Sequence, residues 1–216
     1  MSINKTYAVF GLGRYGRAVA EELVKNGADV IAIDSNEELV NDAAQTIPVC
    51  KCADVTEPEV IDKLDIADVD IVIIAMANSL EATVMAITLC KEAGVPTVIA
   101  KCVEEMHGKI FERVGADKVV FPEKEAGTRL GKNLLSSGFV DIVELSKDAS
   151  MVELQVKNEW IGKNLIQLNL RKKYSINVVA VIKGEEVITN IDPEMPLTEN
   201  MKLIVIADVA KLEKLK

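Results

Sequence analysis

A doubly wound α/β sheet followed by a smaller α+β domain is the architecture this sequence predicts, and three observations carry it. Short apolar runs alternate with helical patterns over about the first 120 residues, the rhythm of successive βαβ units. One of those runs, Ile71-Val72-Ile73-Ile74, contains no polar residue, which marks a strand buried on both faces and hence a parallel sheet covered by helices. Past residue 137 the pattern changes to short alternating strands, a hairpin and one or two helices, as in a small α+β module.

The first strand, Tyr7 to Phe10, feeds Gly11-Leu12-Gly13-Arg14-Tyr15-Gly16, which opens a helical pattern from Arg17 to Asn26. A strand that runs through glycines into a helix N-terminus presents free N–H groups and a partial positive charge, so it is built to receive phosphate. Gly11 makes the tight turn, Gly13 lets a pyrophosphate approach the backbone, and Gly16 lets the helix pack on the strand, as in a Rossmann-like dinucleotide fingerprint. Gly27 ends that helix. The second strand, Ala28 to Asp34, finishes on an acid placed to accept ribose hydroxyls, and Asp34 would repel a 2′-phosphate, which disfavours NADP.

Ser35 or Asn36 caps a helix through Leu39, Val40 and Ala43, and the third strand, Val49 to Ala53, ends in the turn Asp54-Val55-Thr56. Pro58 opens a short acidic helix. After the fourth strand, Asp70 to Ala75, a helix bearing Leu80, Val84, Ile87 and Cys90 ends near Gly94. Thr97 to Ala100 is the fifth strand, which puts Lys101 at its C-terminal tip, where ligands of such sheets bind. A helix from Val103 to Val114 and a sixth strand, Lys118 to Phe121, complete the sheet.

Pro122-Glu123 starts a long helix to about Ser136, with Gly127 and Gly131 beside a stripe of Ala126, Leu130 and Leu134. Glycines cost helix stability, so their presence predicts another backbone close against them, such as a second subunit's. Ser136-Ser137-Gly138 marks the boundary between a nucleotide-binding domain, 1–136, and a second domain, 137–216. The second domain reads as strands Val140 to Leu145 and Val152 to Val156, then one short amphipathic helix through Leu165, Leu168 and Leu170. A hairpin follows, Val178 to Ile182 and Val187 to Ile191, with a last strand at Leu203 to Ala207 and a terminal helix at Val209 to Leu215. So small a module buries little surface alone, which predicts dimerisation.

Composition narrows the function. A net charge of −9 argues against nucleic acid, whose phosphates require a basic face. The longest apolar stretch, Ile71 to Ala77, is too short to span a bilayer and no secretory signal opens the chain, so the expected location is cytoplasmic without membrane insertion. Cys50, Cys52, Cys90 and Cys102 sit in apolar patterns and read as buried free thiols. With one histidine, His107, and no serine–histidine–acid set, the chain offers no catalytic constellation.

The order and spacing of these motifs resemble the RCK (KTN) domains of bacterial potassium-uptake regulators of the Ktr/Trk family. The match lies in the glycine fingerprint, Asp34, Asp54-Val55-Thr56 and Phe121-Pro122-Glu123-Lys124, then in Trp160 to Leu165, Asn177 to Val181 and Glu199 to Ile206. One departure is that the third strand usually ends Gly-Asp-Ala-Thr, whereas Ala53 and Val55 stand here beside the expected adenine pocket. The resemblance implies a regulatory subunit that is not an enzyme. It would bind ATP or ADP, or NAD(H), assemble from homodimers into an octameric ring, and gate a membrane potassium channel or transporter subunit from the cytoplasm. The competing reading of the same fingerprint is a small NAD-dependent oxidoreductase. A transcriptional redox sensor would need a basic DNA-reading helix, which the sequence lacks.

Candidate nucleotide residues are therefore Gly11, Gly13, Arg14, Tyr15, Gly16, Asp34, Asn36, Asp54 and Lys101. The resemblance sets Arg14 on a terminal phosphate, across a subunit boundary or within one subunit, although an arginine at a helix start can simply be solvated. Asn36 either assists the ribose acid or caps the next helix, and Lys101 is either a phosphate neutraliser or a surface lysine. By the same resemblance Glu123 is a candidate contact for a divalent cation, Mg or Ca, or for a second subunit, against the alternative of helix-end charge alone. In the second domain it implies a cyclic di-AMP site at Leu170, Arg171, Ile176, Asn177, Val178 and Pro193, with Arg171 reaching phosphate. The alternative is that Arg171 complements a helix C-terminus.

Overall fold

The computed structural model describes residues 5–76, 79–135, 139–146 and 149–208. The expected domain boundary at 136–138 and the expected terminal helix at 209–215 lie outside them. The chain folds as two compact units, Met1–Glu125 and Ala126–Lys216.

In the first unit, β1 (Thr6–Phe10), α1 (Arg14–Lys25), β2 (Asp29–Asp34), α2 (Glu37–Ala43) and β3 (Val49–Cys52) form one half. The other half is α3 (Pro58–Lys63), β4 (Ile71–Ile74), α4 (Leu80–Glu92), β5 (Thr97–Lys101), α5 (Glu105–Arg113) and β6 (Lys118–Val120). All six strands run parallel in the order β3-β2-β1-β4-β5-β6. The order reverses between β1 and β4, so a crevice opens at the C-terminal ends of these two central strands. Ala8 and Phe10 on β1 face a layer built from α3, α4 and α5, while Val9 faces α1 and α2. Phe10 and Ile74 are fully buried, each worth about 2–3 kcal/mol of hydrophobic burial.

Helix α1 starts at Arg14 rather than Arg17, because the glycine loop turns sharply enough for the helix to begin inside the fingerprint. Gly11 has φ +92°, open to glycine and strained for other residues. A Cβ on Gly16 would lie 1.9 Å from the Gly11 carbonyl oxygen, so only glycine allows α1 to sit this close to β1.

Helix α6 (Pro122–Leu135) begins in the first unit and continues past Glu125 into the second. A Cβ on Gly127 or Gly131 would meet nothing within 4 Å, so no backbone of the described chain lies against them. Leu130 and Leu134 are 60% and 78% exposed.

The second unit carries β7 (Phe139–Glu144), β8 (Ala149–Gln155), α7 (Leu165–Leu168), α8 (Leu170–Tyr174), β9 (Asn177–Lys183), β10 (Glu186–Ile188) and β11 (Met201–Asp208). Its antiparallel sheet has the order β10-β9-β11-β8-β7. One face packs Val152, Leu154, Val181, Leu203 and Val205 against Trp160, Leu168 and Leu170. The single amphipathic helix expected here is two. Asn169 takes a left-handed conformation, φ 47°, and ends α7 before α8 begins.

Two of the four cysteines are less buried than their sequence pattern predicts. Cys90 and Cys102 are buried, but Cys50 is half-buried and Cys52 exposed. They lie on β3, an edge strand of the sheet, where the outermost positions have no neighbour to cover them. Burial pushes the Cys90 thiol up to about 12.

Candidate functional site

The glycine loop, Asp34 and the start of α1 meet where the strand order reverses. The Gly11 N–H donates to the Ile33 carbonyl at 2.8 Å, which fixes the loop to the end of β2. The Leu12 N–H donates to one Asp34 carboxylate oxygen at 2.6 Å, and the Asn36 N–H donates to the other at 2.8 Å. Asp34 thus joins the loop to α2, with further lone pairs on both oxygens for hydroxyl donors. Among the described residues no side chain caps α1 and no acid occupies its first turn, so its N-terminal N–H groups and dipole stay available to an anion. Gly13 is exposed and a Cβ there would touch nothing within 4 Å, leaving the approach open. Arg14 is exposed beside it.

Of the two readings of Asn36, the geometry displays the cap. Its side-chain oxygen accepts the Glu38 N–H at 2.9 Å at the start of α2. Asp54 follows β3, where Ala53 N–H is held by the Asp34 carbonyl at 3.0 Å. One Asp54 oxygen accepts the Thr56 hydroxyl at 2.7 Å and the Thr56 N–H at 2.9 Å, which hold its carboxyl below the ordinary value. Val55, the departure noted in the sequence, is 3% exposed and packs into the core with Ala53 at its edge.

On the other side of the loop, Lys101, Glu123 and Tyr15 form a cluster. Lys101, the last residue of β5, is 12% exposed at its side chain, and its Nζ lies 2.6 Å from Glu123 Oε1. The same ammonium sits 5.6 Å from the centre of the Tyr15 ring, within reach of a cation–π contact. The hydrogen bond from Lys101, and then Glu123's own N–H, hold the Glu123 carboxyl below its ordinary value. Burial, then the charges of Glu125 and Glu123, push the Tyr15 phenol up. Among the described residues no three His, Cys, Asp or Glu side chains cluster as a metal site. Lys124, next along, pairs with Glu105 in the first turn of α5.

The second unit has a cavity of about 480 Å³ lined by Leu170, Arg171, Ile176, Asn177 and Val178, five of the six residues named from the sequence. Leu165, Ile166 and Asn169 complete the lining. Pro193 is outside it, in the loop after β10. Asn169 separates α8 from α7, and Arg171 lies in the last turn of α8 with Lys172 and Lys173, the position of a basic residue at a helix C-terminus.

Sequence reasoning named both Lys101 and Glu123 but not their pairing, since 22 positions separate them and only the meeting of β5 with α6 joins them. It also passed over Asn169 and Ile166. Ile166 is 59% exposed, and an apolar residue off the buried face of a short helix was the available signal.

Residues 7–122 match the TrkA-N domain and residues 150–216 the TrkA-C domain. Ktr system potassium uptake protein C of Bacillus subtilis (strain 168) is 32% identical over 215 residues, 98% of this chain and 97% of that protein. Ktr system potassium uptake protein A of Vibrio alginolyticus is 33% identical over 214 residues, 99% and 97% of the two chains. Among solved structures, the GsuK channel bound to NAD is similar with a TM-score of 0.64 at 17% identity, covering 98% of this chain. The present chain spans 38% of that channel chain, and the likeness is one of fold. Among the described residues no helix is long and apolar enough to cross a membrane.

Proposed function

The chain belongs to the family built from TrkA-N and TrkA-C domains, whose similar members are potassium-uptake proteins and not enzymes, and from that premise we propose that it is the regulatory subunit of a potassium-uptake system. In this reading it works at the cytoplasmic face, binds an adenine nucleotide at the glycine loop, and gates a membrane-embedded partner subunit. The observation that carries the nucleotide assignment is the conjunction of Asp34 with an uncapped, acid-free helix start. The acid is already oriented by the Leu12 and Asn36 N–H groups, and the open loop over Gly13 leaves α1 to receive phosphate.

Arg14 then serves the outer phosphate and Asp54 the adenine end of the crevice. Glu123 supplies one carboxylate, so a Mg or Ca ion there would complete its shell with phosphate oxygens or a second subunit. Binding that favours one of two assembly shapes is sufficient for gating. The uncovered Gly127, Leu130, Gly131 and Leu134 of α6 support a homodimer as the building unit of a ring. The cavity bearing Arg171 supports cyclic di-AMP as an effector of the second unit.

Calorimetry of the full chain with ATP, ADP, NAD and NADH tests the reading. Binding of an adenine nucleotide, lost in Asp34→Ala, is the expected result, and no heat with any of the four would refute it.

A further inference from the structure

We propose that Glu123 is a built-in competitor for Lys101, so that a nucleotide phosphate binds by taking the Lys101 ammonium from Glu123 and thereby frees the first turn of α6. This rests on the nucleotide assignment above. Lys101 is nearly enclosed, 12% exposed, and a charge that far out of water requires a partner. In the structure that partner is Glu123, at 2.6 Å, whose own side chain is 60% exposed. The two are unequal in what they lose by parting. Glu123 can be rehydrated where it stands, whereas Lys101 must find another anion.

The replacement anion is a phosphate at the start of α1. Tyr15 lies in the first turn of that helix, and its ring is 5.6 Å from the Lys101 ammonium. The ring face gives the cation a resting surface beside the phosphate-binding turn while its carboxylate partner is exchanged. A multiply charged phosphate attracts an ammonium more strongly than a single carboxylate does, so exchange is downhill when the loop is occupied.

What the exchange releases is specific. Glu123 stands in the first turn of α6, which is pinned by two ion pairs, Glu123 with Lys101 of β5 and Lys124 with Glu105 of α5. Of the two ion pairs, loss of the first leaves the second to hold this turn to the sheet layer. Because α6 runs on from Glu125 into the second unit, the chain itself carries the change out of the nucleotide domain.

The test is ATP calorimetry on the full chain in EDTA, which removes any contribution of a divalent cation, using wild type, Glu123→Gln, Lys101→Met and the double variant. Glu123→Gln is expected to tighten ATP binding by about three- to tenfold, since Lys101 no longer has to be won from a charged partner. In the Lys101→Met background the same change should alter affinity by less than about twofold. Hydrogen exchange at the Glu125 amide, which donates to the Phe121 carbonyl at 2.9 Å in the first turn of α6, should accelerate on ATP binding in wild type and not in Glu123→Gln, a readout independent of the Lys101 variants. An equal gain in both backgrounds would mean simple repulsion and would overturn the proposal, as would weaker binding by Glu123→Gln. Absence of ATP heat in wild type would overturn the nucleotide assignment and this inference together.

Discussion

Asp34 and Leu12 are joined by a 2.6 Å hydrogen bond in which the carboxylate of a strand end holds the backbone of the glycine loop. The acid is therefore both a candidate ribose partner and a strut, since its second oxygen holds Asn36. Asp34→Ala should weaken adenine-nucleotide binding at least about tenfold and lower folding stability by about 1–3 kcal/mol, as two N–H groups lose a charged acceptor. Asp34→Asn, which keeps one carbonyl acceptor, should recover part of the stability. Calorimetry and urea unfolding on the same three proteins separate the two roles, and unchanged affinity in the alanine variant removes the ribose assignment.

Gly13 and Gly16 share a motif and should fail differently. A Cβ at Gly16 meets the Gly11 carbonyl oxygen at 1.9 Å, so Gly16→Ala should destabilise the first unit by more than about 3 kcal/mol or prevent folding. Gly13 has φ −62° and open space, so Gly13→Ala should fold with stability changed by less than about 1 kcal/mol. The added methyl would stand where phosphate approaches, and affinity for ATP should drop. Thermal unfolding followed by titration distinguishes the pair, and equal Tm losses would contradict this account.

Glu123 gives the fold a pH dependence of known sign. Its carboxyl is held below the ordinary value of 4.5 chiefly by the Lys101 hydrogen bond. A group whose folded pKa is depressed contributes stability that is full above the unfolded value and is lost as pH falls through the folded one. Stability should therefore decline below about pH 4.5, and Glu123→Gln should flatten that limb slightly, its side chain being mostly exposed. Urea midpoints between pH 3 and pH 7 for both proteins test it. A parallel decline in the two would assign the acid limb to other carboxylates.

Much of this was legible in the residues. The uninterrupted Ile71 to Ile74 marked a strand buried on both faces, and Gly16 announced the close packing of α1 on β1 because no other residue fits there. What escaped were features decided by position in the folded sheet. Cys52 has the pattern of a core strand residue, yet β3 ends up at the edge and leaves it exposed. Asn36 carries two readings in the sequence, and the folded chain displays the cap at the start of α2. The split of one helix into α7 and α8 turned on the left-handed backbone of Asn169, a conformation asparagine tolerates but does not announce. The Lys101–Glu123 pair depended on two segments that only the tertiary fold brings together.

The second unit carries the sharpest remaining expectation. Five of the residues named for a cyclic di-AMP site line one cavity, and the basic side chain among them, Arg171, has no ion-pair partner among the described residues. Leu165, Ile166, Leu170 and Val178 supply apolar surface suited to the faces of adenine rings, and Asn169 and Asn177 supply amides able to read their edges. A two-fold ligand suits two copies of such a cavity, with paired arginines offsetting its two phosphates in a protein of net charge −9. Full-length wild type should bind cyclic di-AMP with a stoichiometry of about one ligand per two chains. Arg171→Ala should weaken that binding at least about tenfold, while ATP binding at the glycine loop stays unchanged. If Arg171 instead complemented a helix end, the variant would lose stability and keep the ligand. Calorimetry with cyclic di-AMP and with ATP on both proteins decides between these outcomes, and no cyclic di-AMP heat from wild type would remove the site.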